Sequence, residues 1–206
     1  MTWPNFYVGL WASSLDMGQV YNSSGFHDVA DLEMIAYAGV KRNIAGFKFD
    51  LGALYYFYPG SYGDYNKPVY LGGMIKDLNY FEGMLSISKE IHKDLTLTTT
   101  TYYSPDYSGT GQNWAIENMV SRKLGTYRGI TPTLSAMLAA NFGENSKGGM
   151  DYYYWNAGVS FLFADYFEFD VRWFDTFDVP TGYNSTVTSC RNLCDGRVVA
   201  RITFEN

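Results

Sequence analysis

Long apolar runs are missing from this 206-residue chain: no stretch approaches the roughly 20 apolar residues of a helical membrane span, so a helical membrane protein is excluded. Charge is sparse as well, at 17 % of residues, which is low for a soluble domain. With 15 basic against 21 acidic residues the formal net charge is −6, and the basic residues form no stripe, so nucleic acid is not an expected partner. Two histidines and two cysteines leave little material for a metal centre or a triad. There is no Gly-Lys-Ser/Thr phosphate loop and no Cys-x-x-Cys pair. The opening Met-Thr-Trp-Pro carries neither the charged nor the apolar region of a signal peptide.

What the chain does have is aromatic rings, 18 % of residues with 19 tyrosines, together with 21 glycines and a mean hydropathy of only −0.19. Rings that are apolar in body and polar at the tip suit an interface between water and something greasy. Their arrangement has a period of two. In residues 45–58, Phe47, Phe49, Leu51, Ala53, Tyr55 and Phe57 alternate with Lys48, Asp50, Gly52, Tyr56 and Tyr58, with Leu54 out of step. Neighbouring side chains of a strand point to opposite faces, so one face is apolar and the other polar. The same reading predicts strands over 5–14, 31–42, 78–91, 94–104, 113–124, 131–142, 152–163, 166–175 and 196–205. The segment 113–124 is the least regular, because Asn118 falls on its apolar face. About ten strands in one domain covering 1–206 result.

A soluble β-sandwich also alternates, and two patterns decide against it. The links at 43–44, 92–93, 125–130 and 164–165 are short, and those at 15–30, 59–77, 105–112, 143–151 and 176–195 are longer, so short and long alternate as turns and loops do at the two ends of a transmembrane barrel. The aromatics of the apolar face also sort by height. Tyr55, Phe57, Phe81, Tyr103, Trp114, Phe142, Tyr153, Trp155 and Trp173 fall near the long-loop end. Phe6, Phe47, Phe49, Phe161, Phe163, Phe167, Phe169 and Phe204 fall near the short-turn end, with aliphatics between. Two rings of aromatics around an aliphatic band are the girdles of a membrane barrel. The expected fold is all-β: a transmembrane antiparallel up-and-down barrel, closed by pairing 5–14 with 196–205, because an unpaired edge in lipid leaves backbone groups without partners.

Several stretches resemble one family, the Gcw_chp or TorF-type porins of Gram-negative outer membranes: FYVGLWASSLD at 6–16, EMIAYAGVKRNIAGFKFDLGALYYFYPG at 33–60, YYSPDYSG at 102–109 and DYYYWNAGVSF at 151–161. The resemblance runs from about residue 5 to the C-terminus, and YYFYPG and YYSPDYSG are its most specific parts. It implies a barrel of the bacterial outer membrane with pore activity and no established substrate. Members of the family usually begin with a further hairpin carrying a Tyr-x-Phe-Arg-Gly-type strand, which nothing here matches, and restoring it would give about twelve strands. Export would also require a signal that has been removed or lies upstream of the present start. Barrels commonly end on an aromatic, whereas Phe204 is followed here by Glu205 and Asn206.

The polar face is the candidate functional surface. Lys48, Asp50, Glu82, Glu117, Glu168, Asp170, Arg172, Arg197 and Arg201 are expected to point inward and line a pore, together with Glu33, Lys41, Glu90 and Lys123. Rings of charge set selectivity, yet mixed signs also pair and can fill a narrow barrel. His27 falls in a long loop and His92 in a short turn, at opposite ends, so they share neither a metal nor a triad. Catalytic residues, metal and cofactor are therefore not expected, and carboxylate chemistry at Glu82, Glu168 or Asp170 is the weaker reading of residues that suit a charge network. Cys190 and Cys194, in TSCRNLCDG, form half a metal site at best and are expected to pair as a local disulfide in an oxidising compartment. The loops GSYGDYNKPVY at 60–70 and SPDYSGTGQ at 104–112 offer rings for sugars or a partner, or simply fold over the mouth. The expected function is a narrow passive pore for small hydrophilic solutes, with membrane lipid around it and an oligomer or partner protein left open. The alternative is a non-conducting structural or interaction barrel.

Overall fold

The alternating segments form strands almost where the pattern places them. The structure is a computed structural model and describes residues 5–15, 19–22, 25–28, 30–59, 78–147, 150–164, 166–178 and 195–204. Its strands are β1 (Asn5–Ser14), β2 (Gln19–Asn22), β3 (Gly25–Asp28), β4 (Leu32–Ile44), β5 (Phe47–Phe57) and β6 (Tyr80–His92). They continue with β7 (Leu95–Ser104), β8 (Asn113–Lys123), β9 (Ile130–Gly143), β10 (Tyr152–Phe163), β11 (Phe167–Phe177) and β12 (Arg197–Phe204). Ten of them form one antiparallel sheet in the order β1-β4-β5-β6-β7-β8-β9-β10-β11-β12, an up-and-down meander. Among the described residues the only helical element is a single turn, Asn145–Lys147, and no helix is long and apolar enough to cross a membrane.

Tight links hold the register at one end. Ala45 and Gly46 both have positive φ, 51° and 81°, the backbone of a two-residue hairpin whose twist matches its strands. Between β6 and β7, Asp94 has a φ of 63° and its N–H donates to Glu90. In the β1–β4 pair, Tyr7 faces Gly39 and Gly9 faces Tyr37, and each ring occupies the space a Cβ on the opposite glycine would need. These two glycines are therefore docking sites for rings from the neighbouring strand.

Two features depart from expectation. The link 15–30 contains a small hairpin, β2 with β3, whose four-residue strands are too short for an alternation to show. The expected pairing of 5–14 with 196–205 is not made. β1 and β12 are the two edges of the sheet and no contact joins them. At this curvature ten strands do not bring the edges to the spacing of about 4.8 Å that paired strands need.

The sheet is nevertheless strongly curved. Tyr7 on β1 donates to Asp50 on β5 at 2.7 Å, over the intervening β4. Tyr56 on β5 and Tyr154 on β10 line one cavity, although strands five places apart in a flat sheet would be about 24 Å distant.

The concave face is polar and the convex face apolar, the reverse of a soluble sheet. Glu82, Thr100, Asn113, Asn141, Asn156 and Asp170 are buried. Leu51, Leu85, Leu97, Val120, Leu134 and Leu138 are exposed on the other face. The convex aromatics meet across strands at both ends. Tyr103 packs on Trp114 at 4.4 Å and Tyr153 on Phe177 at 5.2 Å near the long links; Phe163 meets Phe167 at 5.3 Å and Phe167 meets Phe204 at 5.4 Å near the short ones. Asn118, the irregular residue of 113–124, accepts a hydrogen bond from Thr99 directly opposite on β7, so the two polar groups of the apolar face satisfy each other. A small apolar cluster of Ala30, Tyr58, Leu78 and Tyr80 closes the long-link end.

Candidate lumenal site

Strand alternation puts all nine expected lining residues on the concave face, and the structure divides them into two groups. The first is a set of ion pairs running from mid-sheet toward the short-turn end. Lys41 faces Asp50 at 3.8 Å, Arg201 meets Glu168 at 3.2 Å, and Arg172 meets Asp170 at 2.8 Å. Arg172 is the hub. Its guanidinium donates to both oxygens of Asp170, to Asn156 Oδ1 at 2.7 Å and to Ser135 Oγ at 2.9 Å, tying β9, β10 and β11 together. Asp170 is only 4 % exposed, so this is a buried pair whose remaining hydrogen-bonding capacity is met by neutral partners. Gly158 lies opposite Arg172 on β10, where a Cβ would strike the backbone of β11. Lys48 and Arg197 sit at opposite ends of the sheet, near the short turn after β4 and at the start of β12.

The second group lies toward the long-link end, where carboxylates meet phenols. Tyr154 donates to Glu117 at 2.7 Å, Tyr58 donates to Glu33 at 2.7 Å, and Tyr56 shares a cavity wall with Glu82. Tyr56 stacks on Tyr80 with centroids 4.4 Å apart, and Tyr80 meets Tyr107 at the same separation. Between them is a cavity of about 240 Å³ lined from β5 to β10. Glu82 and Glu117 belong to its wall, and among the described residues no lysine or arginine does.

The loop carrying Tyr107 is built to hold it there. Tyr107 N–H donates to Gly111 O at 2.7 Å, Thr110 returns backbone and side-chain bonds to Tyr107 O, and Asp106 accepts from Gly111 N–H. Ser108 ties the loop to Leu78 O. Of the two loop readings, residues 104–112 thus follow the one in which the loop folds over the mouth. Burial pushes the Tyr107 phenol up to about 12, and burial followed by the Glu33 bond raises that of Tyr58, so both remain neutral donors near neutral pH.

Several expectations fall elsewhere. The loop 60–70 and the Cys190–Cys194 disulfide lie outside the described residues. His92 ends β6 at a short turn, while His27 belongs to β3 in the long β1–β4 link. Among the described residues no group of three His, Cys, Asp or Glu is placed to hold a metal. The tyrosines were legible as polar-face residues, but their convergence was not, because Tyr56 and Tyr154 are nearly a hundred positions apart in sequence.

A ten-stranded antiparallel meander, polar on its concave face and girdled with aromatics on its convex one, defines the class of the protein. The chain belongs to the Gcw_chp family, described as a bacterial protein of unknown function, whose profile matches residues 3–204. Comparison with curated proteins and comparison with solved structures each found no match. The family half of the resemblance is thereby established. The family description names no activity.

Proposed function

We propose that the protein is a bacterial outer-membrane barrel, its seam between β1 and β12 filled in the membrane by further strands or another subunit, acting as a narrow passive pore for small hydrophilic solutes, in keeping with the TorF-type porins it resembles. The observation that carries the reading is the inverted polarity of the sheet. Leucines and valines stand exposed on the convex face while Glu82 and Asp170 are buried on the concave one. Water on the convex side would leave that apolar surface uncompensated, whereas lipid is its natural solvent. The ten strands of the large sheet, 8 to 14 residues long, suit an apolar band about 25 Å tall.

One observation favours the non-conducting alternative. Arg172 is tied to four acceptor atoms on the concave face, and Tyr107 folds in onto Tyr80 near the long-link end, so both are fixed in the interior. A planar-bilayer recording of the refolded protein separates the two. Discrete conductance steps are expected from a pore. Silence from protein whose folding is verified by heat-modifiable gel mobility would retire the pore and leave the interaction barrel.

A further inference from the structure

We infer that the tyrosine-walled cavity on the concave face is a binding site for a small organic cation of the alkylammonium class. The inference deepens the pore reading and rests on it for the solute's route to the site. The cavity, about 240 Å³, has the volume of roughly eight waters and so admits a cation of a few carbons. Its wall combines the rings of Tyr56, Tyr80, Tyr102, Tyr107, Tyr152 and Tyr154. Tyr56, Tyr80 and Tyr107 pack on one another, so the wall offers the cavity chiefly phenol oxygens and two carboxylates, whose negative ends attract a cationic head.

The charge in the wall points the same way. Glu82 is 6 % exposed and lines the cavity beside Tyr56; Glu117 takes the Tyr154 phenol. A phenol satisfies a carboxylate oxygen without cancelling its charge. Every ion pair between described residues joins Asp50, Glu168 or Asp170, none of which lines the cavity. A buried carboxylate without a countercharge is costly, and a bound cation supplies one.

Other ligand classes fit less well. Among the described residues an anion would meet two carboxylates and no basic side chain. A sugar's hydroxyls need free donors and acceptors, and several in this wall are taken, Glu117 Oε1 by the Tyr154 phenol among them. The two amides of the wall are already engaged: Asn113 and Asn141 bond each other at 2.9 and 3.1 Å, and Asn141 also donates to Met150 O.

The test is calorimetric titration of the full chain, refolded in detergent, with three probes: choline, its neutral carbon isostere 3,3-dimethylbutan-1-ol, and glucose. Choline should bind saturably and the isostere at least about tenfold more weakly, since the two differ only in charge. Glu82→Gln with Glu117→Gln should erase that difference. Tyr102→Leu should weaken choline while leaving both carboxylates in place. Each variant is first checked for heat-modifiable mobility, and Glu117→Gln alone, which keeps an acceptor for Tyr154, serves if the double variant does not fold. Equal affinity for choline and isostere, preference for glucose, or no heat with choline would overturn the inference. Parallel bilayer recordings keep the two readings apart. A conducting protein that ignores choline sinks the site alone, and a silent one that binds choline sinks the pore alone.

Discussion

Tyr154 donates its phenol hydrogen to Glu117 Oε1 at 2.7 Å across the whole width of β9. The small side chain of Ala139, between them on β9, leaves room for the two to meet above it. A hydrogen bond to a charged group contributes about 1.5–3 kcal/mol. Tyr154→Phe should therefore lower unfolding stability in urea by that amount, and Glu117→Gln by less because an acceptor remains. Coupling near zero in the double-mutant cycle would mean that the bond does not form in the lipid-inserted protein.

The two faces are separable by charge insertion. Leu51 lies in mid-strand opposite Leu85 and is 58 % exposed on the convex side. Leu51→Arg should cost roughly 2–4 kcal/mol of membrane-inserted stability. Ser86→Arg, on the concave side where Ser86 bonds Thr100, should be tolerated better. Equal folding yields into liposomes for both variants would contradict the assignment of inside and outside.

The faces were legible in the sequence because alternation is a local property. Strand limits, the order of short and long links, and the parity of Asp50, Glu82 and Arg172 all follow from a period of two. The register beyond nearest neighbours was not legible. That Arg172 reaches Ser135, or that Tyr107 folds back onto Tyr80, depends on the accumulated twist and coil of several strands. Closure failed for the same reason. Period two says that 5–14 and 196–205 are strands, and says nothing about how far the ends of a ten-strand meander travel. Even Asn118, irregular by itself, needed its cross-strand partner Thr99 to become intelligible.

Two arginines on the concave face should differ sharply in the cost of their removal. Arg172 and Asp170 are both largely buried, with side chains 16 % and 6 % exposed, so Arg172→Met leaves a buried carboxylate without its cation. The expected loss is about 3–5 kcal/mol. Arg201, 65 % exposed on the edge strand β12, should cost less than about 1 kcal/mol on the same change, because a solvent-accessible pair gains little. Urea unfolding of the two single variants decides it. Comparable losses would show that the edge pair is desolvated in the membrane, as it would be if another chain covered the open seam.

The exposure of the Arg201–Glu168 pair also makes it the cleanest handle on ion preference. In the pore reading both groups face the solute path near the short-turn end, and removing either one changes the local charge without unfolding the wall. Arg201→Ser leaves Glu168 uncompensated, so the lumen becomes more acidic and reversal potential under a salt gradient should move toward that of a cation-selective channel. Glu168→Gln leaves the guanidinium instead, and the shift should have the opposite sign. Two shifts in the same direction, or none from a wild-type channel that does conduct, would show that ions pass without sensing this pair and that the conducting path runs elsewhere.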